Sequence, residues 1–197
     1  MGNHLPVFIF GIAHMELETR RLLLRPLRDD DAHALTLGLN NINVSRNLAR
    51  VPFPYALEDA QTFIKRQKSF DPRSLVLAIA FRAAPDELIG MVTYEYGITR
   101  DDANFGYWLS ESCWKMRLMS EATAALVNYA FTQGGVDTLT SAFHTDNPNS
   151  GRILQRLGFS QTHEEMNFSL AQAKLVPSAQ LRLTCQDWLA KQESRAA

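Results

Sequence analysis

The residues best suited to chemistry lie in one continuous stretch between Phe105 and Phe159. An apolar and aromatic segment ending in Gly106-Tyr107-Trp108-Leu109 precedes the loop Trp114-Lys115-Met116-Arg117-Leu118-Met119, and Ser120-Glu121-Ala122 opens the next helical pattern. The first turn of a helix leaves backbone N–H groups unpaired and carries the positive end of the helix dipole. The loop before Ser120 is therefore a predicted anion site, of the kind that accepts a phosphate or a diphosphate.

A second polar group follows the next predicted strand, at Asp146-Asn147-Pro148-Asn149-Ser150. Asn, Pro and Ser in this arrangement are typical of a turn and of a helix N-cap. A serine hydroxyl can also hydrogen-bond to a reacting group or protonate it. The residues alone leave both interpretations open.

Titratable side chains stand at the ends of several predicted strands, where one of them could act as a base. Glu95, between Tyr94 and Tyr96, is the best placed, and the alternatives are Glu164, Glu165 and His144. A glutamate at a strand end is usually just solvated, and a lone histidine there is more often a hydrogen-bonded structural residue. Cys113 is not favoured as a nucleophile, because no His or Asp is arranged around it in the sequence.

Composition limits the class of protein. The chain has 197 residues, of which 46% are hydrophobic and 21% charged, which fits a single α/β domain with a substantial core. A formal charge of −1 argues against nucleic acid or an anionic membrane surface as a partner. The two cysteines, Cys113 and Cys185, are too few for a disulfide scaffold and lack the spacing of a zinc site, so we expect no metal and a reducing cytoplasm.

The apolar run Leu5–Ala13 is too short to span a bilayer, which takes about 20 residues. No basic residue precedes it and no small-residue cleavage signal follows it, so a secretory signal is not expected. We predict an N-terminal extension at 1–15 that packs on the domain or on a partner subunit, a single domain at 16–190 and a polar tail at 191–197. The extension makes a homodimer possible.

Hydrophobic periodicity and turn residues predict an alternation of strands and helices. Strands are expected at 16–28, 74–82, 88–96, 103–109, 138–144, 161–170 and 179–185. Helices are expected at 29–40, 57–68, 120–133 and 149–157, and the segment 41–55 is loop-like because it contains Pro52 and Pro54. This order predicts a mixed α/β domain with helices on both faces of one sheet.

In this order of elements the chain resembles the GNAT superfamily of N-acetyltransferases, most closely the RimJ/RimL type, which acetylates ribosomal-protein N-termini. The motifs that carry the resemblance lie between Gly106 and Phe159, and they include Ser120-Glu121-Ala122, Asn147, Ser150 and Leu157-Gly158-Phe159. The resemblance extends from Leu17 to about Leu189. It implies a GNAT fold, with a mixed, mostly antiparallel sheet whose parallel fourth and fifth strands splay apart.

The resemblance also implies a reaction and a cosubstrate. A cytoplasmic enzyme of this kind transfers an acetyl group from acetyl-CoA to an amine by direct attack, without a metal. The favoured acceptor is a protein N-terminus, and a small amine such as a polyamine, an amino acid or an amino sugar is also possible.

Roles follow for particular residues. The backbone of Tyr107, Trp108 and Leu109 would hold the pantetheine arm, with N–H groups near Trp108 and Leu109 as oxyanion donors. Asn147 would hold the pantetheine amide, Ser150 would serve the departing thiolate, and Glu95 or water would accept the proton of the amine. The pyrophosphate would be bound by Lys115, Met116, Arg117, Leu118, Met119 and Ser120.

The chain departs from the family pattern at three positions. The resemblance has glycines where Lys115 and Arg117 stand, and many members have a tyrosine where Leu154 stands. Glycine lets the backbone approach a phosphate, whereas an arginine could pair with the phosphate as a charged fork. The alternative hypothesis is therefore a non-catalytic GNAT-like module that binds a small ligand or a partner.

Overall fold

The computed structural model describes residues 15–67, 73–96 and 102–196. The predicted extension lies outside these residues except for Met15, and so do Arg100 and Asp101 of the turn expected before the fourth predicted strand.

Eight strands of the described chain form one mixed sheet in the order β1-β2-β3-β4-β5-β6-β8-β7. Neighbouring strands are antiparallel except for β5 and β6, which are parallel. The predicted GNAT sheet is thereby confirmed. The strands are β1 Leu17–Glu18, β2 Leu22–Pro26, β3 Leu75–Phe81, β4 Ala84–Tyr96, β5 Ala103–Leu109, β6 Thr138–His144, β7 Ser160–Ser169 and β8 Lys174–Thr184.

Helices cover both faces of the sheet, as predicted. They are α1 Ala32–Leu39, α2 Ile42–Ser45, α3 Leu57–Gln67, α4 Leu118–Thr132, α5 Pro148–Leu157 and α6 Cys185–Ala196. Adjacent strand residues point to opposite faces. On β4, Val92 packs in the core beneath α4 and α5, whereas Met91 packs in a second core beneath α1 and α3.

The structure corrects the sequence prediction at both ends of the domain. The predicted first strand 16–28 is two strands, because the chain reverses at Thr19, whose backbone N–H donates to the Leu22 carbonyl at 2.9 Å. Residues 185–196, predicted as the end of a strand and a polar tail, form α6, so the predicted boundary at 190 falls inside a helix. The predicted loop 41–55 contains the short helix α2.

The parallel strands β5 and β6 pair only where they begin. Ala103 lies opposite Leu139 and Asn104 lies opposite Thr140, and no further pairs follow in these seven-residue strands. At the next position Ser141 bridges the gap with its side chain, whose Oγ donates to the Phe105 carbonyl at 2.8 Å. The strands then diverge, which confirms the predicted splay and opens the sheet between Tyr107 and His144.

Candidate active site

A cleft of about 820 Å³ lies at the open end of this splay. Its walls come from α2, from the end of β5 and the loop after it, and from the first turns of α4 and α5. Of the predicted site residues, those that line the cleft are Tyr107, Trp108, Leu109, Lys115, Arg117, Met119, Ser120, Asn147 and Ser150. The structure thus brings together residues from both motifs on which the resemblance rests.

The loop before α4 has the backbone conformation that glycine favours. Lys115 has φ 63° and Arg117 has φ 59° with ψ 17°, both in the left-handed region. These are the two positions where the resemblance has glycines, so the chain keeps the loop conformation without the glycine residues. Successive backbone N–H groups in such a loop form a concave anion site.

The start of α4 adds further donors to this loop. Arg117 is the N-cap residue, and the N–H of Glu121 donates to its carbonyl at 3.3 Å. Helix geometry leaves the N–H groups of Leu118, Met119 and Ser120 without partners inside the helix. Met116 and Leu118 do not line the cleft with the other predicted residues, since Leu118 is buried and Met116 is exposed away from it. The loop has the donors and the shape that a diphosphate requires.

The charge of the cleft suits an anionic ligand. The described residues that line it include more cationic than anionic side chains. The carboxylates are Glu111 and Asp146. Asp146 is paired with Arg46 at 3.0 Å. The remaining cations stand around the loop and α5, and they are Lys115, Arg117, Arg152 and Arg156.

Tyr107 and Ser150 form a hydrogen-bonded pair across the splay. The Tyr107 hydroxyl oxygen lies 2.9 Å from Ser150 Oγ, and the same hydroxyl donates to the Ser150 carbonyl at 3.1 Å. Burial raises the pKa of Tyr107 to about 12, although its hydrogen bond with Ser150 acts in the opposite direction. The phenol therefore stays protonated at neutral pH. Leu154, which replaces the tyrosine of many family members, is fully buried.

The turn at the start of α5 fixes Ser150. Asn147 is the N-cap residue, its side chain accepts from the Ser150 N–H, and Pro148 occupies the first turn, where proline is favoured. The helix ends at Gly158, which has φ 116°. Asn147 thus acts as a cap in this structure, and its predicted contact with pantetheine stays a prediction.

Strand alternation selects between the predicted oxyanion donors. The Phe105 carbonyl faces β6, and on the other side of β5 the Ser110 N–H donates to the carbonyl of Ile89 in β4 at 2.8 Å. With a period of two, the backbone groups of Tyr107 and Leu109 face the gap, whereas those of Trp108 face β4. The Trp108 ring is buried in the second core, where it packs against Gly38 of α1.

The predicted bases do not line this cleft. Glu95 lies on β4 and is paired with Arg50 at 3.4 Å. Glu164 and Glu165 are exposed on the edge strand β7. His144 is buried at the end of β6, and burial lowers its pKa. Cys113 does line the cleft, and its Sγ lies 3.9 Å from Ser112 Oγ.

Sequence reasoning missed one carboxylate in the cleft, Glu111. Asn41 Nδ2 donates to one of its oxygens at 2.7 Å, and Asn43 Nδ2 donates to the other at 3.0 Å. These hydrogen bonds lower the pKa of Glu111. Because the asparagines lie about seventy residues away in sequence, no local motif reveals this contact.

The described residues lack two further features. None of their helices has the length and apolar character needed to cross a membrane. Within the same residues, no three His, Cys, Asp or Glu side chains converge in a way that could hold a metal ion.

Because one fold can host many functions, the family of the chain is decided by its match to a protein-family model. The model of the acetyltransferase (GNAT) domain matches residues 21–160, which is most of the chain. The chain belongs to the GNAT acetyltransferase family. The membership predicted from the segment Gly106–Phe159 is confirmed.

Individual GNAT proteins show how far the similarity extends. An uncharacterized N-acetyltransferase of Bacillus subtilis, YoaA, is 29% identical over 151 residues, which cover 74% of this chain and 82% of that protein. The ribosomal-protein-serine acetyltransferase of Escherichia coli is 32% identical over 75 residues, 38% of this chain and 42% of that protein, in agreement with the RimJ/RimL type. A Vibrio cholerae spermidine N-acetyltransferase, solved with CoA and spermine, shares the fold with a TM-score of 0.74 at 15% identity, covering 87% of this chain and 99% of that one.

Proposed function

We propose that this protein is a cytoplasmic N-acetyltransferase that transfers an acetyl group from acetyl-CoA to an amine, with a protein N-terminus as the favoured acceptor. One observation carries the proposal. The left-handed loop at Lys115 and Arg117, an anion site by its geometry, opens into the same cleft as the Tyr107–Ser150 pair. A diphosphate and a thioester of one ligand could therefore be held together.

Binding of acetyl-CoA would use groups already described. The N–H groups of Met119 and Ser120, which line the cleft, would donate to the pyrophosphate, aided by the helix dipole. The side chains of Lys115 and Arg117 would add charge at the rim, where both are exposed. The backbone of Tyr107 and Leu109, on the open edge of β5, would face the pantetheine arm.

The reaction itself needs two proton transfers. The neutral amine attacks the thioester carbonyl carbon, a C–N bond forms, and the Leu109 N–H stabilises the negative oxygen. The C–S bond then breaks and the thiolate takes a proton from the Ser150 hydroxyl, which the Tyr107 phenol orients and can reprotonate. The new amide loses its extra proton to water. An α-amine needs little help, because its pKa is about 8.

Glu111 is our candidate for attracting the acceptor. The hydrogen bonds that fix it come from the neutral amides of Asn41 and Asn43, so its negative charge is retained. Asp146, by contrast, is neutralised by Arg46. A fixed carboxylate in the cleft would hold a protonated amine before it loses its proton. The similarity to a ribosomal-protein-serine acetyltransferase supports an N-terminal acceptor, and the likeness to a spermidine acetyltransferase makes a polyamine the second candidate.

Calorimetric titration with acetyl-CoA, followed by acetylation assays on peptides, polyamines and amino sugars, tests the proposal. We expect binding and turnover with at least one peptide N-terminus. Ser150→Ala should lower kcat by about 10²-fold with little effect on coenzyme affinity, and Tyr107→Phe should lower it less. Ser112→Ala, beside the same cleft but not lining it, is the control. No heat at millimolar acetyl-CoA would refute the proposal and favour the non-catalytic module.

The cytoplasmic location and the homodimer remain predictions. Sedimentation of the full chain and of a chain starting at Met15 would test the role of the apolar extension in dimerisation.

A further inference from the structure

A carboxylate in the first turn of α4 organises contacts from the opposite end of the sequence. Glu121 Oε1 accepts from the Thr19 hydroxyl at 2.6 Å and from the Arg21 N–H at 2.8 Å. Its Oε2 accepts from Arg21 Nε at 2.7 Å. We call these three residues, Thr19, Arg21 and Glu121, the latch.

The latch also reaches the anion-binding loop. The guanidinium of Arg21 donates through Nη1 to the Met116 carbonyl at 3.0 Å. Met116 stands between Lys115 and Arg117, the two residues in the left-handed conformation. One side chain therefore connects the turn between β1 and β2, the start of α4 and the middle of the strained loop.

The backbone strain at Lys115 and Arg117 suggests a role for the contact between Arg21 and Met116. Residues other than glycine adopt the left-handed conformation at a cost in free energy, and they keep it only where the surroundings impose it. The Arg21 contact holds the carbonyl of Met116, the one residue between the two strained residues, so it opposes relaxation of the loop at this point.

The charges of the latch are compatible with a phosphate bound nearby. A carboxylate beside an anion site would repel a phosphate, but Arg21 neutralises Glu121 through Nε. Burial alone would raise the pKa of Glu121, yet the hydrogen bonds from Thr19 and Arg21 hold it below the usual range. Glu121 thus remains an ionised anchor for Arg21 at neutral pH, with 17% of its side chain exposed.

We propose that the Thr19–Arg21–Glu121 latch is a positioning device that holds Lys115 and Arg117, which are not glycines, in the left-handed conformation that binds a diphosphate. This inference rests on the proposed function, because the ligand is acetyl-CoA. Arg21 and Glu121 are positioning residues and do not take part in the acetyl transfer.

A double-mutant cycle tests the inference. Glu121→Gln and Arg21→Met are made in the natural loop and in a loop carrying Lys115→Gly and Arg117→Gly, and the Kd for acetyl-CoA is measured by calorimetry. We expect the latch variants to weaken binding about tenfold in the natural loop and less than about threefold in the glycine loop. In steady-state assays KM for acetyl-CoA should rise while kcat and KM for the amine stay the same.

Arg82 provides the matched control. It pairs with Glu18 at 3.0 Å and donates to the Thr19 carbonyl at 3.4 Å, so it supports the same turn without touching the loop. Arg82→Gln should leave the Kd unchanged. If it weakens binding as much as Glu121→Gln does, or if the latch variants lose the same factor in both loops, the latch only stabilises the turn and the inference is wrong.

Two milder variants test the inference if Glu121→Gln or Arg21→Met does not fold. Arg21→Lys keeps the charge but replaces the two separate guanidinium nitrogens that contact Glu121 and Met116 by a single nitrogen, and Thr19→Val keeps the ion pair. Each should weaken binding by a smaller factor in the natural loop alone, and equal factors in the two loops would contradict the inference. Absence of binding by the natural protein would overturn the proposed function and this inference together. Binding of acetyl-CoA by the natural protein with a Kd that the latch variants do not change would overturn this inference only.

Discussion

Replacing Arg117 by glycine should make the protein more stable. Arg117 has φ 59° and ψ 17°, and its side chain is exposed, so the substitution removes backbone strain at the expense of few packing contacts. The left-handed conformation costs a residue other than glycine roughly 1–2 kcal/mol. The greater freedom of glycine in the unfolded chain returns roughly 0.5–1 kcal/mol of this.

Taken at their midpoints, the two contributions predict a gain of about 0.5–1 kcal/mol in the free energy of unfolding for Arg117→Gly. For a domain of this size the gain corresponds to roughly 1–4 °C in Tm. Urea unfolding and calorimetry on the full chain would measure both quantities. Lys115→Gly, at φ 63°, should behave in the same way.

Two controls separate the backbone effect from the loss of the side chain. Arg117→Ala removes the same charge but stays in the strained conformation, so it should not stabilise the protein. Met116→Gly changes a residue without positive φ and should destabilise by roughly 0.5–1 kcal/mol. The reasoning fails if Arg117→Ala stabilises as much as Arg117→Gly, or if all three glycine variants lose stability.

Three other predictions concern stability. Asp31→Ala leaves the fully buried Arg25 without the carboxylate that binds it through two contacts of 2.8 Å, and should cost about 3–5 kcal/mol in urea unfolding; a loss below 1 kcal/mol would contradict this. Gly151→Ala places a Cβ 2.6 Å from the Phe143 ring and should cost about 1–3 kcal/mol, part of which Phe143→Leu should restore. Burial lowers the pKa of His144, so the unfolded chain binds its proton more readily, and stability should fall as the pH drops below about 6.5. His144→Gln should flatten that fall, measured as urea midpoints at about pH 7.5 and about pH 5.5, and equal slopes for both proteins would rule His144 out.

Most of the fold could be predicted because its elements carry local signals. The strand 138–144 and the hairpin of β3 and β4 follow from apolar runs and a turn, and α4 follows from its apolar stripe. The helix α6 was missed although it has a signal, since Thr184 and Asp187 form the spacing of a capping box and exchange hydrogen bonds of 2.6 and 3.1 Å. The reversal at Thr19 was missed although part of its signal is local, since the Thr19 hydroxyl accepts from the Leu22 N–H at 2.9 Å. Its other partner, Glu121 Oε1, lies 102 residues away and gives no local signal.

The candidate site could be predicted only as far as its motifs reach. The position of the loop and of Ser150 followed from the family pattern, and both line the cleft. The partner of Ser150 did not follow, because Tyr107 meets it across the splay, 43 residues away. The left-handed backbone at Lys115 could not be inferred either, since a lysine gives no indication of positive φ. Glu95 was chosen for its place at a strand end, but it lies opposite Asn104, where β5 and β6 still pair, and not beside the end of β5 that lines the cleft.

The cleft is lined by segments that pack on two different cores, one on each face of the sheet. The loop and α4 pack on one core, whereas α1 and α3, which carry α2 and Asn43, pack on the other. Substitutions within residues 32–67 that keep the contacts of Asn41 and Asn43 with Glu111 should therefore reshape the α2 side of the cleft and leave the loop at Lys115 and Arg117 in place. Chimaeras that exchange this segment among relatives should alter acceptor choice and retain donor affinity, which offers engineering a route to new amines.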